Sequence, residues 1–279
     1  MWILKGINIS SLLNRNPKIQ RNFGLFSKFT CKLTSVKTKA IFNWSSGKDS
    51  ALALYKTLQN PEIEIVSLLT SVNQQFNRIS MHGVRAELLE QQAESIGIPL
   101  HKMEIPEMPT MEVYEDVMRK TLKQFTDKGV THSIFGDIFL EDLRKYREDK
   151  LAEMQLEGLF PLWNIDTKVL IQEFLKLGFK TIVTCVNERN LDKSFVGRII
   201  DEKFINDLPE DVDMCGENGE FHTFTFDGPI FTKPIAFEIG EIVYRKYEKP
   251  KTDTSNTACD TNDSDAFEYG FWYCDLLPD

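Results

Sequence analysis

The sequence lacks the signatures of membrane, zinc-binding and disulfide-stabilised proteins. No apolar run approaches the roughly 18 residues that a membrane-spanning helix needs, so we expect a soluble protein with no membrane partner. The five cysteines and four histidines form no C-x-x-C and no H-E-x-x-H motif, which leaves no sequence signal for a zinc site. An odd number of scattered cysteines is typical of a reducing compartment, so we expect a cytoplasmic location.

The two common glycine-rich nucleotide motifs are also missing. No G-x-G-x-x-G run occurs anywhere. A Walker A loop is excluded at Gly47-Lys48, because Phe42 stands where that motif has its first glycine and Asp49 where it has Ser or Thr. Nucleotide binding, if present, therefore uses another kind of loop.

Acidic residues are absent from the N-terminal end of the chain. Residues 1–39 carry eight Lys or Arg and no Asp or Glu, so the remainder holds 25 of the 33 basic residues against all 42 acidic ones, a balance of −17. A body this acidic argues against nucleic acid as a partner. We interpret residues 1–38 as a basic extension outside the folded protein, either an organellar transit peptide or a tail translated from upstream of the true start.

The most informative stretch is residues 45–50, Ser-Ser-Gly-Lys-Asp-Ser. An apolar strand precedes it and a helix with apolar residues at 3.6-residue spacing follows it. A tight loop between a strand and a helix aims backbone N–H groups and the positive helix end at one point, which suits a phosphate. Gly47 permits close approach, Lys48 adds charge, and three hydroxyls add donors: Ser45, Ser46 and Ser50. The alternative is a capped helix start in an ordinary α/β protein.

Strands and helices alternate after the extension. We predict strands at 40–44, 63–70, 100–105 and 130–135 and helices at 49–59, 84–96 and 111–128. Such alternation with short links predicts a doubly wound parallel sheet, whose ligands lie outside the carboxyl ends of the strands. We assign residues 39–157 to this ATP-binding domain.

Two further loops are expected at the same edge of the sheet. The polar loop 72–83 carries Arg78 and His82 and is either part of the nucleotide pocket or a solvated loop. In residues 136–148, if helical, Asp137, Glu141, Arg144 and Glu148 share one face. These carboxylates could hold Mg²⁺, with Asp49 and Asp137 as the candidate ligands. Arg144 or Arg147 could clamp a phosphate or carboxylate. The alternative is a solvated, salt-bridged face.

Residues 158–279 are predicted to form a smaller α+β domain. It contains a helix at 167–177, strands at 180–186, 220–226, 235–244 and 267–276, and a polar, flexible loop at 249–266. The turn around residues 215–222 gathers Glu217, Glu220 and His222, which suits amine binding or general base catalysis. Its alternative is a glycine-rich hairpin with a polar face. Cys215 beside this turn is either a nucleophile or a small buried apolar residue.

Five segments together resemble the diphthine–ammonia ligase family and its bacterial relatives, within the PP-loop ATP pyrophosphatase superfamily. They are the S-S-G-K-D-S loop, with Ser46 in place of the family's first glycine, and four further motifs. These are Met-His-Gly-Val-Arg at 81–85, Gly-Asp-x-x-x-Glu-Asp-x-Arg at 136–144, Pro-Leu-Trp at 161–163, and Cys-Gly-Glu-Asn-Gly-Glu-Phe-His-Thr-Phe at 215–224. Because Ser46 replaces a glycine, we expect this position to avoid a strongly positive φ.

The resemblance implies an adenine-nucleotide α-hydrolase-like fold and an AMP-forming ligase. ATP with Mg²⁺ would sit on residues 45–50, with His82, Asp137 and Arg144 in the nucleotide site. A substrate carboxylate would attack the α-phosphate, and ammonia or an amine would then displace AMP. Glu217, Glu220 and His222 would act with Lys48 and Asp49, and the acceptor would contact four residues: Arg147, Trp163, Asn218 and Gly219.

Two other functions stay open, and the acceptor and oligomeric state are not specified. One is an RNA-modifying PP-loop enzyme, although tRNA thiolases generally need paired cysteines and Cys185 and Cys215 are far apart in sequence. The other is an adenine-nucleotide sensor without turnover, which the intact Lys48-Asp49 pair disfavours. The acceptor itself, a protein or a small molecule, is expected to carry a carboxylate.

Overall fold

Five parallel strands form most of the first sheet in this computed structural model, which describes residues 37–79, 82–106, 109–246 and 270–279. They are β1 (Thr38–Asn43), β2 (Ile63–Asn73), β4 (Leu100–Ile105), β5 (His132–Ile134) and β6 (Glu157–Leu159), in the order β4-β2-β1-β5-β6. A short strand, β3 (Arg78–Ile79), runs antiparallel to the end of β2. The chain moves outward from β1 in one direction and then in the other, so the switch point lies between β1 and β5.

Helices cover both faces of this sheet. They are α1 (Lys48–Leu58), α2 (Ala86–Ile96), α3 (Met111–Thr126), α4 (Glu141–Ala152) and α5 (Thr167–Lys176). Side chains of β1 alternate between two apolar cores, with Ala40 and Phe42 in one and Ile41 in the other. The predicted doubly wound α/β fold is therefore confirmed.

The second sheet is antiparallel and has the order β8-β7-β10-β9. Its strands are β7 (Lys180–Asn187), β8 (Phe221–Asp227), β9 (Phe237–Lys246) and β10 (Gly270–Pro278). A 3₁₀ turn (Lys193–Phe195) and α6 (Glu202–Asp207) follow β7. Phe224 of β8 belongs to the same apolar core as Phe42 of β1, so the two sheets share a continuous interior.

The predicted helices and strands agree with the structure to within a few residues, with one error that matters for the site. Residues 136–140 are not helical, because α4 begins only at Glu141. The backbone of Ile138 is used elsewhere: its N–H donates to Glu217 Oε1 at 2.7 Å, and its carbonyl accepts from Asn164 N at 2.8 Å. Asp137 therefore does not share a helical face with Glu141, Arg144 and Glu148.

Short elements were not predicted at all, among them β3, β6 and α6. The expected extension at 1–38 lies outside the described residues except for its last two, and the loop at 249–266 lies outside them entirely. The boundary at 157/158 stays a prediction; β6, which spans it, belongs to the first sheet. In the part of the chain that is described, no helix is both long enough and apolar enough to cross a bilayer.

Candidate active site

The loop at residues 45–50 lies at the carboxyl end of β1, where the switch point places it. Gly47 is the N-cap of α1 and has no side chain to cap the helix, although the Thr223 hydroxyl accepts a hydrogen bond from the N–H of Lys48. The Ser45 hydroxyl lies 3.0 Å from the Ser50 hydroxyl, which donates to the Gly47 carbonyl at 3.0 Å. Gly136, after β5, passes so close that an added Cβ would lie 3.0 Å from Ser50 N. The loop is thus a compact helix N-terminus at the strand edge, the arrangement that binds anions.

Ser46 adopts a left-handed backbone conformation with φ of 71°. The expectation that this residue avoids positive φ is therefore wrong. This conformation accompanies two hydrogen bonds to the Ser46 carbonyl, from Thr225 N at 2.9 Å and from Gln92 Nε2 at 3.2 Å. The Ser46 side chain is fully buried, and its hydroxyl has no hydrogen-bond partner among the described residues. The backbone bonds to the neighbouring elements thus outweigh the cost of this conformation in a residue other than glycine.

Lys48, within the loop, has a buried side chain whose ammonium group contacts two residues. Its Nζ lies 2.8 and 2.7 Å from the two carboxylate oxygens of Asp49 and also donates to the Cys215 carbonyl. Burial alone would lower the pKa of Lys48, but the Asp49 carboxylate outweighs it, and the pKa is raised. Burial raises the pKa of Asp49, against the opposing effect of Lys48. The ammonium is therefore charged and fixed at the floor of the site.

A cavity of about 500 Å³ opens beside Lys48 and has two differently lined parts. The polar part adjoins the loop and is lined by Ser45, Lys48, Asp49, Ser50, His82, Asp137, Arg147, Glu217, Gly219 and His222. The apolar part runs between the sheet, α3 and α4, and its lining includes Leu69, Met103, Tyr114, Met118 and Leu122. The cavity thus joins an anion-binding end to an apolar slot.

His82 and His222 lie side by side in the polar part, with their ring planes tilted by 34°. Their ring centroids are 4.7 Å apart, and His82 Nδ1 lies 3.0 Å from the Thr223 carbonyl, which requires the Nδ1–H tautomer. Burial lowers the pKa of His82 to about 4 and that of His222 to about 3. Both imidazoles are therefore neutral near pH 7.

Asp137 and Arg147 form an ion pair on the opposite wall. Arg147 Nε lies 2.7 Å from Asp137 Oδ2, and the guanidinium lies 4.4 Å from the centroid of the Phe135 ring. Burial raises the pKa of Asp137, Arg147 opposes this shift, and the nearby Asp49 adds to it. Asp137 thus shares the cavity with Asp49 although it lies ahead of α4.

Arg144 and Trp163 do not line this cavity. The Arg144 guanidinium stacks on the ring of Trp163 at 4.5 Å and on that of Phe160 at 4.8 Å, and it pairs with Glu148 at 2.8 Å. The two residues contact each other outside the polar part. Arg144 and Glu148 thus form a partly exposed ion pair away from the cavity lining, and the predicted role of Arg144 in the nucleotide site stays a prediction.

The turn at residues 213–220 separates two glutamates. Glu217 lines the cavity and accepts a hydrogen bond from Ile138 N at 2.7 Å. Burial raises its pKa to about 7, and the nearby Asp49 adds to the shift. Glu220 is buried behind the turn, where its Oε1 accepts from Asp213 N at 3.1 Å and Asn218 Nδ2 at 3.0 Å. Glu217 thus faces the cavity, whereas Glu220 and Asn218 brace the turn.

The described cysteines are not activated nucleophiles. Cys185, Cys215 and Cys274 are all unpaired and buried. Burial raises the pKa of Cys185 to about 12 and raises that of Cys215 further, so both are neutral thiols at pH 7. Cys215 contributes its backbone carbonyl, not its sulfur, to Lys48. Of the two interpretations of Cys215, the contacts fit a small buried residue and not a nucleophile.

Sequence reasoning missed the residues that connect the two sheets at the site, and also the residue that holds the backbone of the turn at 215–217. Thr223 Oγ1 accepts from Lys48 N at 3.0 Å, and Gln92 donates to both Ser46 O and Thr225 O. Asp213 Oδ1 accepts from the N–H groups of Cys215 and Glu217. Thr223 lies within the 215–224 motif, although no role was predicted for it, and Asp213 lies two residues before the motif.

The carboxylates that line the cavity suit a magnesium ion carried in with phosphates. Asp49 and Asp137 each raise the pKa of Glu217, so the three carboxylates are close enough to repel one another. Across the described residues, no three His, Cys, Asp or Glu side chains group tightly enough to bind a metal by themselves. Mg²⁺ is commonly held by one or two carboxylates together with substrate phosphates and water, so the donor set fits a shared site.

Two family models match the chain in order. The diphthamide synthase N-terminal domain matches residues 38–156, and the diphthamide synthase C-terminal domain matches residues 166–251. Curated proteins that match are diphthine–ammonia ligases. The human ligase is 25% identical over 221 residues, covering 71% of this chain and 82% of its own length. The zebrafish ligase is 28% identical over 169 residues, covering 54% of this chain.

The chain matches only part of the length of some of these relatives. The match covers 65% of the zebrafish ligase, just under two thirds, and 36% of the ligase from fission yeast, which is 21% identical over 218 residues. Among solved structures, the U34-tRNA thiolase NcsA from Methanococcus maripaludis matches with a TM-score of 0.34 and 20% identity, covering 52% of this chain and 59% of that one.

Proposed function

Because the chain belongs to the diphthamide synthase family, we propose that it is an AMP-forming ligase that activates a carboxylate with ATP and converts it to an amide. At the family level, the diphthine–ammonia ligase relatives support ATP-dependent amidation. The observation that carries the proposal is one cavity that contains a charged Lys48 at a helix N-terminus and a Glu217 with a pKa of about 7.

ATP fills the two parts of the cavity in this proposal. The loop at residues 45–50 and the Lys48 ammonium hold the β- and γ-phosphates, because a helix N-terminus and a buried cation both favour anions. The apolar slot, which Met103 and Tyr114 help to line, suits a nucleobase. Asp49 and Asp137 are the ligands we propose for Mg²⁺, which would neutralise phosphate charge when bound.

The first step forms an acyl–phosphate bond. An oxygen of the acceptor carboxylate attacks the α-phosphorus, the bond from that phosphorus to the bridging oxygen breaks, and pyrophosphate leaves with the electron pair. Lys48 and the loop N–H groups stabilise the charge that develops on the leaving group. The product is an acyl-adenylate, in which AMP is a good leaving group.

The second step forms the amide. Ammonia attacks the acyl carbon, the carbon–oxygen bond to AMP breaks, and the surplus proton passes to Glu217. A carboxylate with a pKa of about 7 is suited to this transfer near neutral pH. The neutral His82 and His222 add no positive charge that would oppose the charge developing on the ammonia nitrogen as it attacks.

The acceptor class follows from the names of the relatives. Diphthine–ammonia ligases act, by name, on diphthine and ammonia, so we propose ammonia as the amine and a diphthine-type carboxylate as the acceptor. Arg147 and Gly219 line the polar part of the cavity, where we place the acceptor carboxylate. Trp163 and Arg144, which stack outside the cavity, would contact the remainder of the acceptor.

The RNA-modifying alternative gains no support from the described cysteines, which are buried neutral thiols. The sensor alternative differs from the ligase because a sensor binds ATP without turnover.

The test supplies ¹⁵N-ammonium, ATP and a cell extract and follows ¹⁵N in the acceptor fraction. The ligase predicts one ¹⁵N amide per AMP formed. ATP binding without ¹⁵N incorporation into any fraction would contradict it and favour the sensor.

A further inference from the structure

The turn between β3 and α2 brings His82 into the site. Arg78 and Arg85, at the two ends of this turn, both contact the carboxylate of Asp275. Arg78 and Arg85 form an isolated β-bridge across this turn. The backbone is further closed by Ile79 N donating to Val84 O at 2.8 Å and by Gly83 N donating to Ile79 O at 3.1 Å. We call the described residues 78–79 and 82–85 the His82 turn.

Asp275 of β10 holds both ends of the His82 turn. Its Oδ1 accepts from Arg78 Nη1 at 2.7 Å and from Arg85 Nε at 3.1 Å, and its Oδ2 accepts from Arg85 Nη2 at 2.7 Å. Burial alone would raise the pKa of Asp275, but the two guanidinium groups outweigh it and lower the pKa to about 2. The carboxylate is thus charged at all ordinary pH values and binds one arginine in a bidentate manner.

The same strand also supports the middle of the His82 turn. A Cβ on Gly83, whose φ is +69°, would lie 3.0 Å from Cδ1 of Tyr273. Arg78 Nη1, which donates to Asp275, also donates to the Gly83 carbonyl at 2.7 Å. The turn is therefore fixed against β10 by an ion-pair network at its ends and by close packing of Tyr273 at its centre.

His82, in the same turn, contacts the loop at residues 45–50, which we call the phosphate loop. Its Nδ1 donates to Thr223 O at 3.0 Å, and its ring centroid lies 4.7 Å from that of His222, with the ring planes tilted by 34°. A Cβ on Gly47 would lie 3.0 Å from His82 Cε1, so the imidazole lies directly against the loop. A shift of the His82 turn would therefore change the wall of the cavity beside the phosphates.

We propose that Asp275 is a positioning residue of the active site: by pairing with Arg78 and Arg85 it holds the His82 turn so that His82 stays packed on the phosphate loop. The effect on ATP binding rests on the nucleotide site of the proposed function, whereas the positioning of His82, which the NMR signals report, does not. The C-terminal strand β10 is on this account a part of the nucleotide site, although Asp275 does not line the cavity.

The solvent exposure of this ion-pair network indicates a role in positioning the turn more than in stabilising the fold. The side chains of Asp275, Arg78 and Arg85 are 20%, 28% and 35% exposed. Partly exposed ion pairs contribute modestly to folding, because water screens the charges and already solvates them well in the unfolded chain. We therefore expect neutralisation of Asp275 to loosen the turn more than it lowers the melting temperature.

The test compares Asp275→Asn with a matched control, Asp227→Asn, in the full-length protein. Asp227 is 25% exposed and pairs with Lys180 at 2.9 Å in the second sheet, outside the cavity lining. We expect Asp275→Asn to weaken binding of a non-hydrolysable ATP analogue on the order of tenfold and to move the His82 imidazole NMR signals, identified with His82→Gln. Asp275→Glu should recover part of both effects, and Asp227→Asn should show neither.

Unchanged analogue affinity and His82 signals in Asp275→Asn would overturn the proposal, as would equal changes in Asp227→Asn. Neither readout requires turnover. If wild-type protein forms no AMP but both readouts move as expected, the proposed function fails and the positioning role stands. If wild-type protein forms AMP and the readouts do not move, the positioning role fails alone. Where AMP is formed, the KM for ATP should rise in Asp275→Asn more than kcat falls.

Discussion

The backbone N–H of Lys48 donates to the hydroxyl of Thr223, 175 residues further along the chain, at 3.0 Å. Two residues away on each segment, Thr225 N donates to Ser46 O at 2.9 Å. These bonds attach strand β8 of the second sheet to the phosphate loop of the first. The loop is therefore not a free local motif, and its conformation depends on a strand from the other half of the protein.

Thr223→Val should lower the free energy of unfolding by about 1–3 kcal/mol, because it leaves the buried Lys48 N–H without an acceptor. Valine has the same shape as threonine, so packing is retained. Chemical denaturation measures the change. Thr223→Ser keeps the hydroxyl and should lose less; a larger loss in Thr223→Ser than in Thr223→Val would contradict a role for the hydrogen bond.

Ser46→Gly should stabilise the protein by about 1 kcal/mol. Glycine adopts the φ of 71° without the cost of about 1–2 kcal/mol that other residues incur, and the variant removes a buried hydroxyl with no partner among the described residues. The greater entropy of glycine in the unfolded chain offsets part of this gain. Thermal unfolding checks it. A lower melting temperature would mean that Ser46 makes a contact worth more than its strain.

Lys48→Ala should slow pyrophosphate release on the order of 10²–10³-fold, because it removes the charge that stabilises the leaving group. A coupled pyrophosphate assay measures the rate. Lys48→Met, which keeps the volume of the buried side chain, guards against simple misfolding. The matched control is Lys56→Ala on the same helix, whose ion pair with Glu173 lies outside the cavity. An equal loss in Lys56→Ala would remove Lys48 from the mechanism.

Glu217 should give the amide-forming step a pH dependence centred near pH 7. Its pKa is raised from 4.5 to about 7, so the carboxylate that accepts the proton is lost below pH 7. At constant free ammonia, the rate should fall about tenfold per pH unit below 7 and level off above it. Glu217→Gln should be slower by about 10²–10⁴-fold and flat with pH. A wild-type profile without this limb would exclude Glu217 as the base.

The same pKa shift has a consequence for stability. Because the folded protein binds the Glu217 proton more tightly than the unfolded chain does, this residue stabilises the fold fully below pH 4.5, and its contribution is lost as pH rises through about 7. Glu217→Gln should therefore flatten the pH dependence of unfolding over this window. Denaturation midpoints at pH 5 and pH 7.5 check the difference between the two proteins.

The fold was predictable where local pattern determines it. Helices such as α1 and α5 follow apolar spacing and end signals, and alternating strands and helices predict a parallel sheet whatever the detailed sequence. Because the carboxyl ends of parallel strands meet at one edge, the positions of Lys48 and Asp137 in one cavity also followed. Short elements such as β3 and β6 escaped, since two or three residues carry too little periodicity.

The errors occurred where contacts between distant segments decide the conformation. Ser46 takes a positive φ while its carbonyl bonds Thr225 and Gln92, and residues 136–140 stay out of α4 while Ile138 bonds Glu217 and Asn164. No local pattern predicts either. Asp275 illustrates the same limit, because nothing in the residues around it indicates two arginine partners 197 and 190 positions away.

The most direct test of the central claim follows the α-phosphate of ATP. Protein, magnesium and ammonium are incubated with α-labelled ATP and a cell extract that supplies the acceptor, with Lys48→Met as the inactive control. The account predicts labelled AMP, together with unlabelled pyrophosphate, that depends on active protein. Labelled ADP in place of AMP would contradict attack at the α-phosphate and with it the proposed ligase.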